Sequence, residues 1–315
     1  MIASKKRIIK KIVKGFIMAA IIYVSLSMIA TSIIYNIVFQ RYTPEKTADI
    51  QPLDVQIAQH IETYSYGCDD HNLKGFLYRR ESEKNSLVVL SPGFKAEIAE
   101  YEGLINSLLC RKFDVFAFDA TGHGKSGGDS SIGFPQIIKD LSATLEFIDS
   151  RKNDFNYNNI FLLGHSRGGY AACCVMNDYD SVTAVVSVNG VDTAMDAIMA
   201  YSTDYLGDIA YGNYPFLALY QTVIFGNELA DKSAVEEINS TKKPVFIIQS
   251  SKDEQIPIDN YSIYSKRKRI KNRYAKILLY EKENYNGHTT ILLNEKKEVN
   301  EDIVEIISEF FESNL

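Results

Sequence analysis

The sequence predicts an α/β protein with a mostly parallel, doubly wound sheet, preceded by one membrane-spanning helix. Three observations carry this. Short apolar runs recur at Leu87–Leu90, Val115–Phe118, Ile160–Leu163, Val182–Val188, Val245–Ile248 and Ile277–Tyr280. Such runs suit parallel strands covered on both faces, and the intervening stretches 100–112, 133–150, 167–178 and 259–272 have helical spacing. Directly behind one run stands Gly164-His165-Ser166-Arg167-Gly168-Gly169, a Gly-x-Ser-x-Gly strand-turn-helix elbow that would hold the Ser166 hydroxyl above the sheet. Finally, residues 15–40 carry no charge and follow a basic cluster.

Composition narrows the class. A chain of 315 residues, 46% hydrophobic and 23% charged, is long enough for one large domain and an appendage. The formal net charge is −6 although Lys5, Lys6, Arg7, Lys10, Lys11 and Lys14 stand in the first fourteen residues without an acid. The body is therefore strongly acidic, the opposite of a nucleic-acid binder's basic footprint. The four cysteines form no CxxC pair. Cys173 and Cys174 read as small buried hydrophobes, and a Cys68–Cys110 bridge stays open.

In chain order, residues 1–14 form a basic cytoplasmic segment and 15–40 an anchor. Roughly 25 apolar residues at about 1.5 Å each can cross a hydrocarbon core of about 30 Å. Positive charge before the span places the N-terminus in the cytoplasm and the larger C-terminal part outside it, a single-pass arrangement in the cell membrane. A cleaved signal with Ala30-Thr31-Ser32 as its small-residue site is the competing reading, but the apolar run continues through Phe39, too far for a signal peptide. A buried core helix would show a polar face, which is missing. Residues 41–60, with Pro44 and Pro52, form a linker, and the domain spans 61–315. It opens with a hairpin of 61–66 and 73–78 around a turn-rich stretch in which His71 is a solvated loop residue. The run Lys266-Arg267-Lys268-Arg269-Ile270-Lys271-Asn272-Arg273 reads as a solvated helix face, with anionic lipid headgroups as the alternative contact.

In a doubly wound sheet, chemistry collects at the carboxyl ends of the strands. After 87–90 comes Ser91-Pro92-Gly93-Phe94. The backbone amides of Phe94 and Arg167 are placed to stabilise the oxyanion that develops in acyl transfer. After 115–118 comes Asp119 to Gly128, where Asp119 ties a tight turn and His123 is structural. Its Gly124-Lys125-Ser126 lacks the glycine that a phosphate loop requires at position 119. After 245–248, Asp253 is the choice to orient a base histidine, with Glu254 as the alternative. After 277–280, His288 is the one histidine placed to act as base. The order Ser166, Asp253, His288 is that of a Ser-Asp-His triad on this kind of sheet.

With these pieces in order, the chain resembles the α/β-hydrolase superfamily, and within it the monoacylglycerol lipase-like or serine aminopeptidase-like branch. The resemblance rests on Ser91-Pro92-Gly93-Phe94, the Asp-x-x-Gly-His-Gly-x-Ser-x-Gly pattern from Asp119, the Gly164–Gly168 elbow, Asp253 to Pro257 and Gly287-His288. Many relatives carry His-Gly where this chain has Pro92-Gly93, so the support of that loop differs. The resemblance implies an α/β-hydrolase fold with a helical cap, here residues 191–243 after the sixth strand, rich in Tyr, Phe and Met. It also implies a serine esterase or lipase-like activity on a small or lipid-like ester, with no metal, organic cofactor or nucleic acid. A peptidase of the aminopeptidase-like branch is the alternative, for which Asp196, Asp204 or Asp208 would hold a substrate amine. A non-catalytic cell-surface binding domain is the third.

Overall fold

A computed structural model describes residues 2–44, 60–80, 86–294, 296 and 298–315. The chain begins with helix α1 (Ile2–Val38), which takes in the basic cluster as well as the apolar run. Phe16, Ile21, Leu26 and Ile33 project from α1 away from the protein. This one helix is long and apolar enough to cross a membrane.

Among the described residues, eight strands form one sheet. The strands are β1 (His60–Cys68), β2 (His71–Arg79), β3 (Ser86–Ser91), β4 (Asp114–Asp119), β5 (Asn159–His165), β6 (Val182–Val188), β7 (Val245–Ser250) and β8 (Ala275–Tyr280). Their order is β1-β2-β4-β3-β5-β6-β7-β8. The β1–β2 and β2–β4 pairs are antiparallel, and the pairs from β4 to β8 are parallel. The chain reverses its direction of travel across the sheet between β3 and β5, and a crevice forms at such a switch point.

Helices cover both faces. Helices α2 (Glu102–Cys110) and α9 (Glu301–Glu312) close one face over Val88, Leu90, Phe113, Phe161 and Phe311. On the other lie α3 (Gln136–Ser150), the short α4 (Lys152–Phe155), α5 (Arg167–Val175) and α8 (Ala234–Ser240), over Val89, Phe116, Leu162 and Val185. Strands β3 and β4 are buried along their whole length, which explains their unbroken apolar runs. The long insertion after β6 forms α6 (Ala194–Leu206) and α7 (Ile209–Ala230). In α7, Gly226 has non-helical torsions (φ 75°, ψ 164°) that kink the helix.

Three expectations need correction. His71 is not in a solvated turn: it opens β2 and its Nε2 lies 2.8 Å from the Thr121 hydroxyl. The turn contracts to Asp69-Asp70, with Asp69 at φ 50°. The segment 259–272 is not an α-helix but turns and a 3-10 stretch, Tyr264–Arg269. Four successive cations repel one another in a helical array, and Ser262 and Ser265 satisfy local backbone groups instead. Nor is the basic run uniformly solvated: Lys266 pairs with Asp192 at 2.9 Å and with Asp196 at the base of the cap. All four cysteines are free, with Cys68, Cys173 and Cys174 buried. Of the expected linker, residues 45–59 lie outside the described residues. Residues 41–44 pack on the body, where the Arg41 guanidinium donates to the carbonyls of Gly124, Ser126 and Gly128.

Candidate active site

At the end of β5 the backbone turns through Ser166, at φ 54° and ψ −118°. These torsions are strained for a residue with a side chain. The Ser166 N–H donates to the Val188 carbonyl at 2.8 Å, which ties the turn to the end of β6. Helix α5 starts at the next residue and packs so closely beneath β3 that a Cβ on Gly168 would strike the Ser91 carbonyl.

His288 arrives from the loop after β8 and Asp253 from the loop after β7. The Ser166 hydroxyl lies 2.9 Å from His288 Nε2. His288 Nδ1 donates to the Asp253 carboxylate, 2.9 Å from both oxygens. All three residues are buried. Asp253 also accepts from the Gln255 and Ile256 amides and from Gln249 Nε2, which fixes the carboxylate in one orientation. Between the two acids offered by the sequence, geometry puts Asp253 on the ring. Glu254 accepts the His288 backbone N–H at 3.0 Å instead.

Other residues hold this arrangement, and sequence reasoning did not find them. Asn189, at φ 51° after β6, donates from Nδ2 to the His288 carbonyl at 2.8 Å and accepts the Ser250 N–H at 2.7 Å. His165 Nε2 donates to the same His288 carbonyl at 2.9 Å. Its Nδ1 accepts from the Tyr101 hydroxyl at 3.0 Å, and that oxygen accepts the Gly93 N–H at 2.9 Å. A single relay therefore joins the loop after β3, the elbow and the histidine loop. Tyr101 supplies the support for Pro92-Gly93. Nothing local marks these residues; a buried histidine beside the elbow serine was the sole hint. Tyr101→Phe leaves the Gly93 N–H and His165 Nδ1 without their partner. We expect it to cost about 1–3 kcal/mol in urea unfolding; an unchanged midpoint would show that the relay carries no stability.

Burial, then the neighbouring His288, lowers the His165 pKa from 6.5 to about 4, so the ring is neutral at pH 7. The unfolded chain takes up a proton near pH 6.5 that the folded chain refuses until about pH 4. The His165 contribution to stability is thus complete above pH 6.5 and is lost as pH falls toward 4, on the order of 3 kcal/mol at 1.36 kcal/mol per unit. The denaturation midpoint should fall more steeply across this window in the wild type than in His165→Gln. Equal slopes would mean that the ring is not held neutral. His123 behaves similarly: burial, then Arg167, lowers it to about 3, and its Nδ1 donates to the Thr121 carbonyl. It belongs to the loop and does not bond Ser166. Asp119 accepts the Ile98 and Lys125 amides. Gly124, at φ 45°, lies where a Cβ would strike the Asp119 carboxylate.

The two residues expected to stabilise an oxyanion flank Ser166. Phe94 lines the same cavity as Ser166 and His288, and Arg167 is the first residue of α5, where helix N–H groups are unpaired. The Arg167 side chain is buried, with its guanidinium 5.3 Å from the Phe94 ring centre. Burial lowers its pKa to about 10, against the opposing pull of Asp140; it remains a cation at neutral pH. The cavity encloses about 1000 Å³ and reaches from His288 past Tyr201 and Leu217 of the cap. Of the cap acids, Asp196 is occupied by Lys266, Asp204 borders the cavity and Asp208 precedes α7 on the surface. Among the described residues, Cys68, His71 and Asp140 are the one group spaced to hold a metal. Their atoms already bond Thr121, Gln136 and one another.

The fold has counterparts among solved structures. The esterase Pf2001 of Pyrococcus furiosus superposes with a TM-score of 0.64 at 19% identity, covering 87% of this chain and 98% of that one. The chain has the α/β-hydrolase fold. Residues 82–200 match the family described as Hydrolase_4, serine aminopeptidase, S33. Human monoglyceride lipase is 35% identical over 89 residues, 28% of this chain and 28% of that protein. Protein phosphatase methylesterase 1 of Candida albicans is 29% identical over 99 residues, 31% of this chain and 26% of that protein. The matches thus span about a quarter of these relatives' length.

Proposed function

We propose that the protein is a membrane-anchored serine hydrolase that cleaves carboxylic esters through an acyl-enzyme. The hydrogen-bonded series Asp253, His288, Ser166, opening into a cavity under an aromatic cap, carries this reading. His288 Nε2 takes the proton as Ser166 Oγ attacks the ester carbonyl, and Asp253 stabilises the resulting imidazolium. The Phe94 and Arg167 amides hold the oxyanion. His288 then protonates the departing alcohol, and a water activated by the same nitrogen releases the acid. The first helix anchors the enzyme, with its basic start in the cytoplasm and the hydrolase outside. The likeness to monoglyceride lipase and the methylesterase supports ester chemistry. Asp204 at the cavity favours a second reading, capture of a substrate amine by a peptidase.

The test uses the full chain in nanodiscs, because Tyr35 and Phe39 of its N-terminal part are buried against the body. A fluorophosphonate probe should label Ser166, with turnover of p-nitrophenyl esters. Turnover of aminoacyl anilides in place of esters would move the assignment to the peptidase. No labelling of the folded protein would overturn the catalytic reading.

A further inference from the structure

The last turn of α1 does more than leave the membrane. Phe39 is buried against Phe94 and Phe134, with ring centres 5.3 and 5.7 Å apart, so it touches the loop that carries the proposed oxyanion amide. Its carbonyl accepts the Ser131 N–H at 2.7 Å, and the Tyr42 N–H donates to the Gly122 carbonyl at 2.9 Å. With Arg41 bonded to the same loop, the exit of α1 is fastened to the hydrolase body.

Alongside, α1 packs on cap helix α7. Tyr35 stacks edgewise on Tyr220 with ring centres 5.0 Å apart, Tyr23 meets Phe216, and Ser32 and Asn36 bond the Tyr220 hydroxyl. Ile34, Ile37 and Val38 remain exposed, and all three border the cavity that reaches Ser166. The position along α1 matters. At about 1.5 Å per residue, Val38 stands about 36 Å from Lys14, just beyond a hydrocarbon core of about 30 Å. The cavity therefore opens where α1 would cross from acyl chains to headgroups. Beside it, α7 exposes Leu219 and Val223, an apolar surface continuous with that of the anchor.

We propose that the end of α1 is a wall of the substrate site: Ile34, Ile37 and Val38 pack against the acyl chain of an ester drawn from the adjoining lipid leaflet. This rests on the ester-hydrolase reading and adds to it the lipid class of substrate and the residues that measure its chain. An anchor joined by a free tether would supply no such wall. Here the helix end is itself fixed to the body, through the Phe39 carbonyl, the Arg41 guanidinium and the Tyr42 N–H.

The experiment compares full-length wild type, Ile34→Trp, Val38→Trp and Ile21→Trp in phosphatidylcholine nanodiscs. Ile21 is exposed on α1 away from the cavity and controls for membrane insertion. The readout is the ratio of kcat/KM for a 16-carbon to that for a 4-carbon p-nitrophenyl ester. Displacing even one methylene from an apolar pocket is worth about tenfold or more, so the ratio should fall at least about tenfold in Ile34→Trp and Val38→Trp and stay level in Ile21→Trp. A 16-carbon ester carrying a photoreactive diazirine should also cross-link to residues 34–38 in Ser166→Ala. Ratios equal in all four proteins, with fluorophosphonate labelling intact and no cross-link to 34–38, would overturn the wall while leaving the hydrolase. Absence of labelling in the wild type would instead sink the hydrolase reading itself, and cross-links at 34–38 would then show the wall as a lipid-binding surface alone.

Discussion

Ser166→Ala is expected to lower ester turnover at least about 10⁴-fold and to abolish fluorophosphonate labelling, with no loss of folded protein. The hydroxyl that lies 2.9 Å from His288 Nε2 is the sole atom removed, and alanine accepts the elbow torsions no worse than serine. His288→Ala should cost a similar factor, and the double variant little more than either alone, because nucleophile and base act in one step. Asp253→Asn should cost on the order of 10³–10⁴, since the amide cannot stabilise the imidazolium. Kinetics on p-nitrophenyl butyrate with purified full-length variants decide the matter. Turnover within tenfold of wild type in Ser166→Ala would transfer the chemistry to another residue.

Gly168→Ala should have the largest effect on the fold. Its Cβ would strike the Ser91 carbonyl, and the Pro92 oxygen lies close behind. Both are backbone atoms at the end of a buried strand, so neither can swing aside as a side chain would. The strand or α5 must move, in a layer where Tyr170, Ala171, Cys173 and Cys174 are fully buried. Overpacking of this kind costs about 3 kcal/mol or more, and we expect a matching loss in urea unfolding or no folded protein. Gly212→Ala, in α7 with nothing within 4 Å, is the control and should stabilise by up to about 1 kcal/mol. A Gly168→Ala protein as stable as wild type would mean that α5 sits farther from the sheet.

The sheet was legible because its signal is local. A strand buried on both faces must be apolar at every position, and β3, β5 and β7 announce themselves in their own residues. The elbow was legible for a related reason: close approach of helix and strand admits no side chain, and the glycines stand at fixed offsets from Ser166. Asp253 was less so. Two adjacent acids follow β7, and composition cannot say which one faces a ring delivered from another loop.

The basic run after β7 shows how a local pattern misleads. Helical spacing at 259–272 was outweighed by like charges and by serines that bond their own backbone. His71 was misplaced by a single turn, and its true partner, Thr121, stands fifty residues away in the sequence.

The sequence alone thus determined the α/β class, the strand positions and the uncharged span, and it offered Ser166, one of two adjacent acids and His288 in the chain order of a triad. Each is written in neighbouring residues or in chain order. Only the tertiary structure decided that Asp253 and not Glu254 bonds the His288 ring, that Tyr101, His165 and Asn189 brace Ser166, His288 and Asp253, that Lys266 is tied to cap acids, and that the end of α1 lines the cavity. Those facts rest on groups brought together from distant segments. Such contacts are favoured by the burial of whole layers and by the satisfaction of buried polar groups, and they leave no periodicity along the chain to be read.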